Sequence, residues 1–150
     1  MNDSVLSLPL IPDNFLVLTG IVFNSMSKKI LIVDDEPHIR MLLEQTLEDL
    51  EDQDVELITA TNGEDALELI QSEIPDLVFL DVMMPKMNGF DVCEAVRKEV
   101  ETQNVYIIML TAKGQEFDKQ KGSNAGANLY MTKPFDPDEV MEKAIQVLGL

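Results

Sequence analysis

A chain of 150 residues with 45% apolar content can bury one ordinary core and has no room for two. Its 28 acidic residues against 11 basic ones give a net charge of −17, which repels phosphate backbones and anionic lipid, so no nucleic acid and no membrane are expected as partners. A single cysteine excludes a disulfide framework and any cysteine-based metal site. A soluble, cytoplasmic protein is the expectation.

Residues 1–26 differ from the rest. Phe15 to Phe23 is apolar but far short of a membrane span, and Asp3 and Asp13 stand where a signal peptide would carry positive charge. Pro9 and Pro12 break any helix there. The stretch reads as an extension outside the fold, with a membrane- or partner-binding tether as the alternative. Ser27-Lys28-Lys29 then opens a domain running to residue 150.

Ile30-Leu31-Ile32-Val33 is a fully apolar strand that ends in Asp34-Asp35-Glu36. Pro37 suits a first helical turn, and Ile39, Leu42, Leu43, Leu47 and Leu50 recur at helical spacing, predicting a helix over about 36–50. Asp54 to Ala60 is a short strand. Asn62 or Thr61 caps the next helix, with Ala66, Leu67, Leu69 and Ile70 inward. Leu77 to Leu80 is a continuous apolar run led in by Pro75, the pattern of a central parallel strand covered on both faces, and it ends in Asp81. Asn88 caps a helix over about 89–100 on Phe90, Val92, Cys93, Val96 and Val100, where Cys93 reads as a small core residue. Val105 to Leu110 is a fourth strand ending at Thr111. Residues 114–127, with Gly122 and Gly126 and few large apolar side chains, predict a short, mobile element. Asn128 to Met131 is a fifth strand leading into Thr132-Lys133-Pro134-Phe135. Asp136, Pro137 and Glu139 read as N-cap, first-turn proline and capping-box partner of a last helix ending near Leu148.

Apolar strands alternating with helices mean parallel pairing and right-handed crossovers. Five units are too few for a closed barrel, so the expected fold is α/β, a flavodoxin-like (βα)5 doubly wound parallel sheet of strand order 2-1-3-4-5. That order gathers Asp34, Asp35, Asp81, Thr111 and Lys133 at one sheet edge. Two carboxylates at ~4 Å repel by roughly 4 kcal/mol at an effective dielectric of 20. One acid must stay protonated or a cation must occupy the cluster; oxygen-only ligands select a hard ion, so Mg2+ is expected. Met83 can add its backbone carbonyl to the metal. A nucleophilic carboxylate beside Mg2+, a lysine and a hydroxyl has the parts of phosphoryl transfer, with Asp81 attacking phosphorus and Lys133 and Thr111 meeting its oxygens.

With Ile30 to Glu36, Leu80-Asp81-Val82-Met83-Met84-Pro85, Leu110-Thr111-Ala112 and Thr132-Lys133-Pro134-Phe135 in place, residues 28–148 resemble a bacterial response-regulator receiver domain of the CheY-like type. The resemblance implies that Asp81 is the phosphoacceptor, Asp34 and Asp35 the acidic pair, Thr111 the switch hydroxyl, Lys133 the conserved-type lysine and Tyr130 the aromatic switch residue. It also makes Lys133–Pro134 a candidate for a cis bond, and places Met83 and Lys113 where the family tunes phosphoryl lifetime. It implies a single-domain regulator, not an enzyme beyond self-catalysed phosphotransfer and autodephosphorylation. A histidine kinase or histidine phosphotransfer protein would be the donor, and partners would dock on the first helix and on the face of the fourth helix, fifth strand and fifth helix. The protein would be a monomer or a weak dimer through that face, serving motility or a phosphorelay; the alternative is a degenerate receiver that binds without phosphorylation. A haloacid-dehalogenase-type phosphatase would need an acid where Met83 stands, and a flavin or nucleotide binder would need a phosphate loop where Asp34-Asp35-Glu36-Pro37 stands. His38, on the first helix beside acids, reads as an exposed residue, and Met83, Met84 and Met87 as loop packing.

Overall fold

In a computed structural model, the structure describes residues 15–18, 21–24, 27–112, 121 and 124–150. Its elements are β1 (Phe15–Leu18), β2 (Ile21–Asn24), β3 (Lys28–Val33), α1 (Pro37–Leu47), a 3-10 turn (Glu48–Gln53), β4 (Val55–Ala60), α2 (Gly63–Glu73), β5 (Leu77–Asp81), α3 (Gly89–Lys98), β6 (Tyr106–Ala112), β7 (Leu129–Lys133) and α4 (Pro137–Leu148). Five strands form one parallel sheet in the order β4-β3-β5-β6-β7, the doubly wound order expected when strands are counted from residue 28.

Strand periodicity builds two cores from one sheet. Leu31, Val33, Val78, Leu80, Ile107 and Met109 pack on one face with Ala66 and Ile70 of α2 and Phe90, Val92, Cys93 and Val96 of α3. Ile30, Ile32, Leu77, Phe79, Ile108 and Leu110 pack on the other with Leu43 and Leu47 of α1 and Val140, Ala144 and Leu148 of α4. Because both faces are covered, every residue of β5 is buried, which is why its sequence is apolar without alternation until Asp81.

Several local expectations change. β1 and β2 pair antiparallel as a two-stranded sheet of their own, within the stretch expected to lie outside the fold. α1 stops at Leu47 and continues as the 3-10 turn; its last turn has no basic residue, and Glu48, Asp49 and Glu51 oppose the helix dipole there. Leu50 is still buried, but Leu42 is exposed beside Met41. α3 ends at Lys98 because Glu99 is extended (φ −102°, ψ 136°), so Val100, expected inside, is 77% exposed. β7 runs two residues past Met131, held by pairing with Thr111 and Ala112. The caps are read well: Asn88 and Asp91 form a reciprocal box, Asn62 accepts from the Asp65 amide, and Asp136 accepts from the Asp138 amide, though the Glu139 half of the expected box is not made. The Lys133–Pro134 bond is cis. Much of the 114–127 element and Lys113 lie outside the described residues. Among the described residues no helix is long and apolar enough to cross a membrane.

Candidate functional site

The strand ends supply the site. Asp34 follows β3 directly; its amide donates to Ala60 O (3.4 Å), its Oδ1 accepts from the Glu36 amide (2.9 Å), and its carbonyl accepts from Arg40 Nη1 (2.7 Å). Asp81 closes β5, where Leu110 of β6 is its ladder partner and Val82 N donates to Leu110 O (3.2 Å). The chain then turns back tightly: Gly89 N donates to Val82 O (3.0 Å), and a Cβ on Gly89 would stand 2.5 Å from Asp81 O. A Cβ on Gly63 would collide with Met87 O, so the start of α2 also leans on the acceptor loop through a glycine.

One oxygen from each of Asp34, Asp35 and Asp81 lies within 4.8 Å of the others. Asp34 is fully buried, Asp81 is 3% exposed, and Asp35 faces solvent. Lys133 reaches this cluster from the end of β7, with its Nζ 2.7 Å from Asp34 Oδ2, 3.2 Å from Asp81 Oδ1 and 3.6 Å from Glu36 Oε1. Burial, followed by the Asp34 charge, pushes the Asp81 carboxyl up to about 7, against the pull of Lys133. Lys133 is held above its usual value: burial opposes its charge, but contact with Asp34 and the charges of Asp81 and Asp34 outweigh that cost.

Asp34, Asp35, Asp81 and Lys133 therefore meet, while Thr111 and Tyr130 are located by their strands. Thr111 is buried at the end of β6, opposite Thr132 in the ladder. Tyr130 is half-buried opposite Met109 and packs against the α2–α3 core. The Met83 side chain is 60% exposed, which corrects its assignment to loop packing; Met84 and Met87 do pack inward. The Met83 amide points at the acceptor, 3.4 Å from Asp81 Oδ1. His38 is exposed and near Glu36, as expected. Sequence reasoning missed Glu36 and Arg40, whose roles depend on how the chain turns after β3; the acidic run Asp34-Asp35-Glu36 was the visible signal for the first and nothing marked the second.

The donor set suits a hard divalent cation. It is all oxygen, it carries three carboxylates, and the buried Asp34 Oδ2 accepts no hydrogen bond among the described residues, having only the lysine ammonium as an ion-pair partner. Mg2+ fits the residues present.

Residues 30–145 match the response regulator receiver domain family. The alkaline phosphatase synthesis transcriptional regulatory protein PhoP of Bacillus subtilis (strain 168) is 47% identical over 123 residues, which is 82% of this chain and 49% of PhoP. Chemotaxis response regulator CheY4 of Vibrio cholerae superposes with a TM-score of 0.72 at 35% identity, covering 81% of this chain and 98% of that one. The signal receiver domain of a DNA binding response regulator from Colwellia psychrerythraea 34H gives a TM-score of 0.75 at 27% identity, over 83% and 100% of the two chains. The chain spans about half the length of the curated relatives it matches. Fold, acidic edge and sequence agree: this chain belongs to the response regulator receiver family, as the receiver domain of a two-component response regulator.

Proposed function

We propose that Asp81 accepts a phosphoryl group from a histidine kinase or a histidine phosphotransfer protein. The observation that carries this reading is a buried carboxylate at the end of β5 with Lys133 Nζ at 3.2 Å and two further acids in reach of one cation. A carboxylate oxygen of Asp81 attacks phosphorus, an acyl-phosphate P–O bond forms, and the P–N bond to the donor imidazole breaks, the imidazole leaving with its electron pair and taking a proton from solvent. Attack by water later restores the carboxylate and releases phosphate. The chain would thus act on itself and is not an enzyme for an outside substrate.

Asp34, Asp35, Asp81 and the Met83 carbonyl would hold Mg2+, which, when bound, neutralises phosphoryl oxygens and favours the ionised nucleophile. Lys133 would serve the same end and hold a phosphoryl oxygen. Thr111 donates its hydroxyl to another, and Tyr130 follows the space Thr111 vacates. The surface so changed includes β7 and α4, and a protein partner docks there, with the chain monomeric or weakly dimeric through that face. PhoP is a transcriptional regulator of which the matched residues make up 49%, so a DNA-binding or other output beyond these residues is compatible with the same receiver chemistry. These residues themselves, at net charge −17, are unsuited to DNA contact and serve protein contact, as in a motility regulator or a phosphorelay; a cytoplasmic location follows from such partners.

Intact mass after incubation with Mg2+ and acetyl phosphate tests the reading. One added phosphoryl group on the wild type and none on Asp81→Asn is the expected result. No addition to the wild type would leave a receiver that signals by binding alone.

A further inference from the structure

Among the described residues β7 is an edge strand with one neighbour, and only Met131 of its five residues is buried. Burial fixes strand register only where a face is covered, and a slip of one residue turns every side chain over. Lys133, the last residue of this weakly anchored strand, must nonetheless reach Asp34 and Asp81. What fixes the strand lies just upstream and across from it.

Arg97, on the last turn of α3, donates from Nε to Gly126 O (2.8 Å), from Nη1 to Val105 O (2.7 Å) and Gln103 O (3.0 Å), and from Nη2 to Asn128 Oδ1 (2.8 Å). The same Asn128 Oδ1 accepts the Ile107 amide (2.8 Å), and the Asn128 amide donates to Ile107 O (2.9 Å). Asn128 thereby pairs with Ile107 one step before the ladder Ile108 to Leu129 begins, using its side chain for one of the two bonds. Gly126 lies at φ +102°, and a Cβ there would stand 2.7 Å from Arg97 Cγ, so the chain is built to let the guanidinium in. The rigid fork of arginine satisfies these divergent acceptors; a lysine could reach few of them. The other end of α3 is capped by Asn88 in the acceptor loop, so one helix touches both Asp81's loop and the approach to β7.

We infer that Arg97, acting through Asn128, is a positioning residue that locks the register of β7 and so places Lys133 against Asp34 and Asp81. Resting on the reading of Asp81 as acceptor, it adds a residue that touches neither phosphoryl group nor metal. Loosening the lock withdraws the lysine charge from the acidic cluster. Cation binding then strengthens while phosphoryl transfer weakens, a pair of opposite changes that simple destabilisation does not produce.

The test compares wild type, Arg97→Met, Arg97→Lys and Lys133→Met, with Mg2+ alone titrated by calorimetry and acetyl phosphate labelling followed by mass. Expected for Arg97→Met is Mg2+ affinity raised at least threefold, in the direction of Lys133→Met, with phosphorylation slowed about tenfold and amide exchange at Ile107 and Asn128 accelerated. Arg97→Lys, which keeps the charge but gathers its donors on one nitrogen, should fall between and serves if the methionine variant does not fold. Unchanged or weakened Mg2+ binding in the folded variants overturns the inference and leaves Arg97 a structural brace. Wild type that binds Mg2+ but takes no phosphoryl group defeats the acceptor reading alone, since the Mg2+ comparison still judges Arg97.

Discussion

β5 and β7 both deliver a charged residue to the same sheet edge, yet they are secured by different physics. β5 is buried along its whole length, with Leu77 and Phe79 in one core and Val78 and Leu80 in the other, so Asp81 is placed by packing from two sides. β7 has half-exposed side chains and is placed by directional hydrogen bonds at its start and by an ion pair at its end. The nucleophile is thereby fixed, while its counter-charge sits on an element that can shift at modest cost. A switch needs that asymmetry.

The sharpest way to break the comparison is in the β5 core. Phe79→Ala should lower unfolding free energy by about 3–5 kcal/mol in urea titrations, because the void cannot collapse between two packed layers. The next effect belongs to the cation: Mg2+ at a hundredfold excess over its Kd should stabilise the wild type by about 2.7 kcal/mol, and chelation should reverse it. An absence of any Mg2+-dependent shift in Tm would count against the carboxylate cluster as a metal site.

A smaller effect runs with pH. The folded Asp81 carboxyl is held near 7, above its unfolded range near 4, so the folded state keeps a proton that the unfolded state releases. This contribution is fully present below about 4 and is lost as pH rises through about 7. With chelator present, Asp81→Asn should exceed wild-type stability by on the order of 2 kcal/mol at pH 8. The gain should vanish by pH 4–5. The smallest change expected is Leu129→Ala in β7, about 1 kcal/mol, since that side chain is only partly buried. A cost matching Phe79→Ala would erase the distinction between the strands.

The same contrast decides what the sequence could disclose. β5 was legible residue by residue because burial on both faces writes itself as an unbroken apolar run, and Asp81 stood out as the charge that ended it. Asp34 and Lys133 were legible because each stands at the end of a strand, on the edge where a parallel doubly wound sheet gathers its ends. Asn62, Asn88 and Asp136 announced their helices through cap chemistry that is local in sequence. Arg97 was illegible: a basic residue in a last helical turn reads as a solvated charge complementing the dipole, and its acceptors lie 6 to 31 residues away. Val100 and Leu42 misled for a related reason, since helical spacing identifies a face but not where the helix stops or which end of that face stays covered.

Cys93 lends itself to use as a clock. It is buried on the inner face of α3 in the core shared with α2, and burial pushes its thiol up to about 11. Thiol reagents should therefore ignore it in the folded protein and consume it only when that face opens. Its modification rate would time the opening of the layer behind the acceptor loop, with and without Mg2+. A second cysteine placed at exposed Val100 could meanwhile carry a label without removal of the native one.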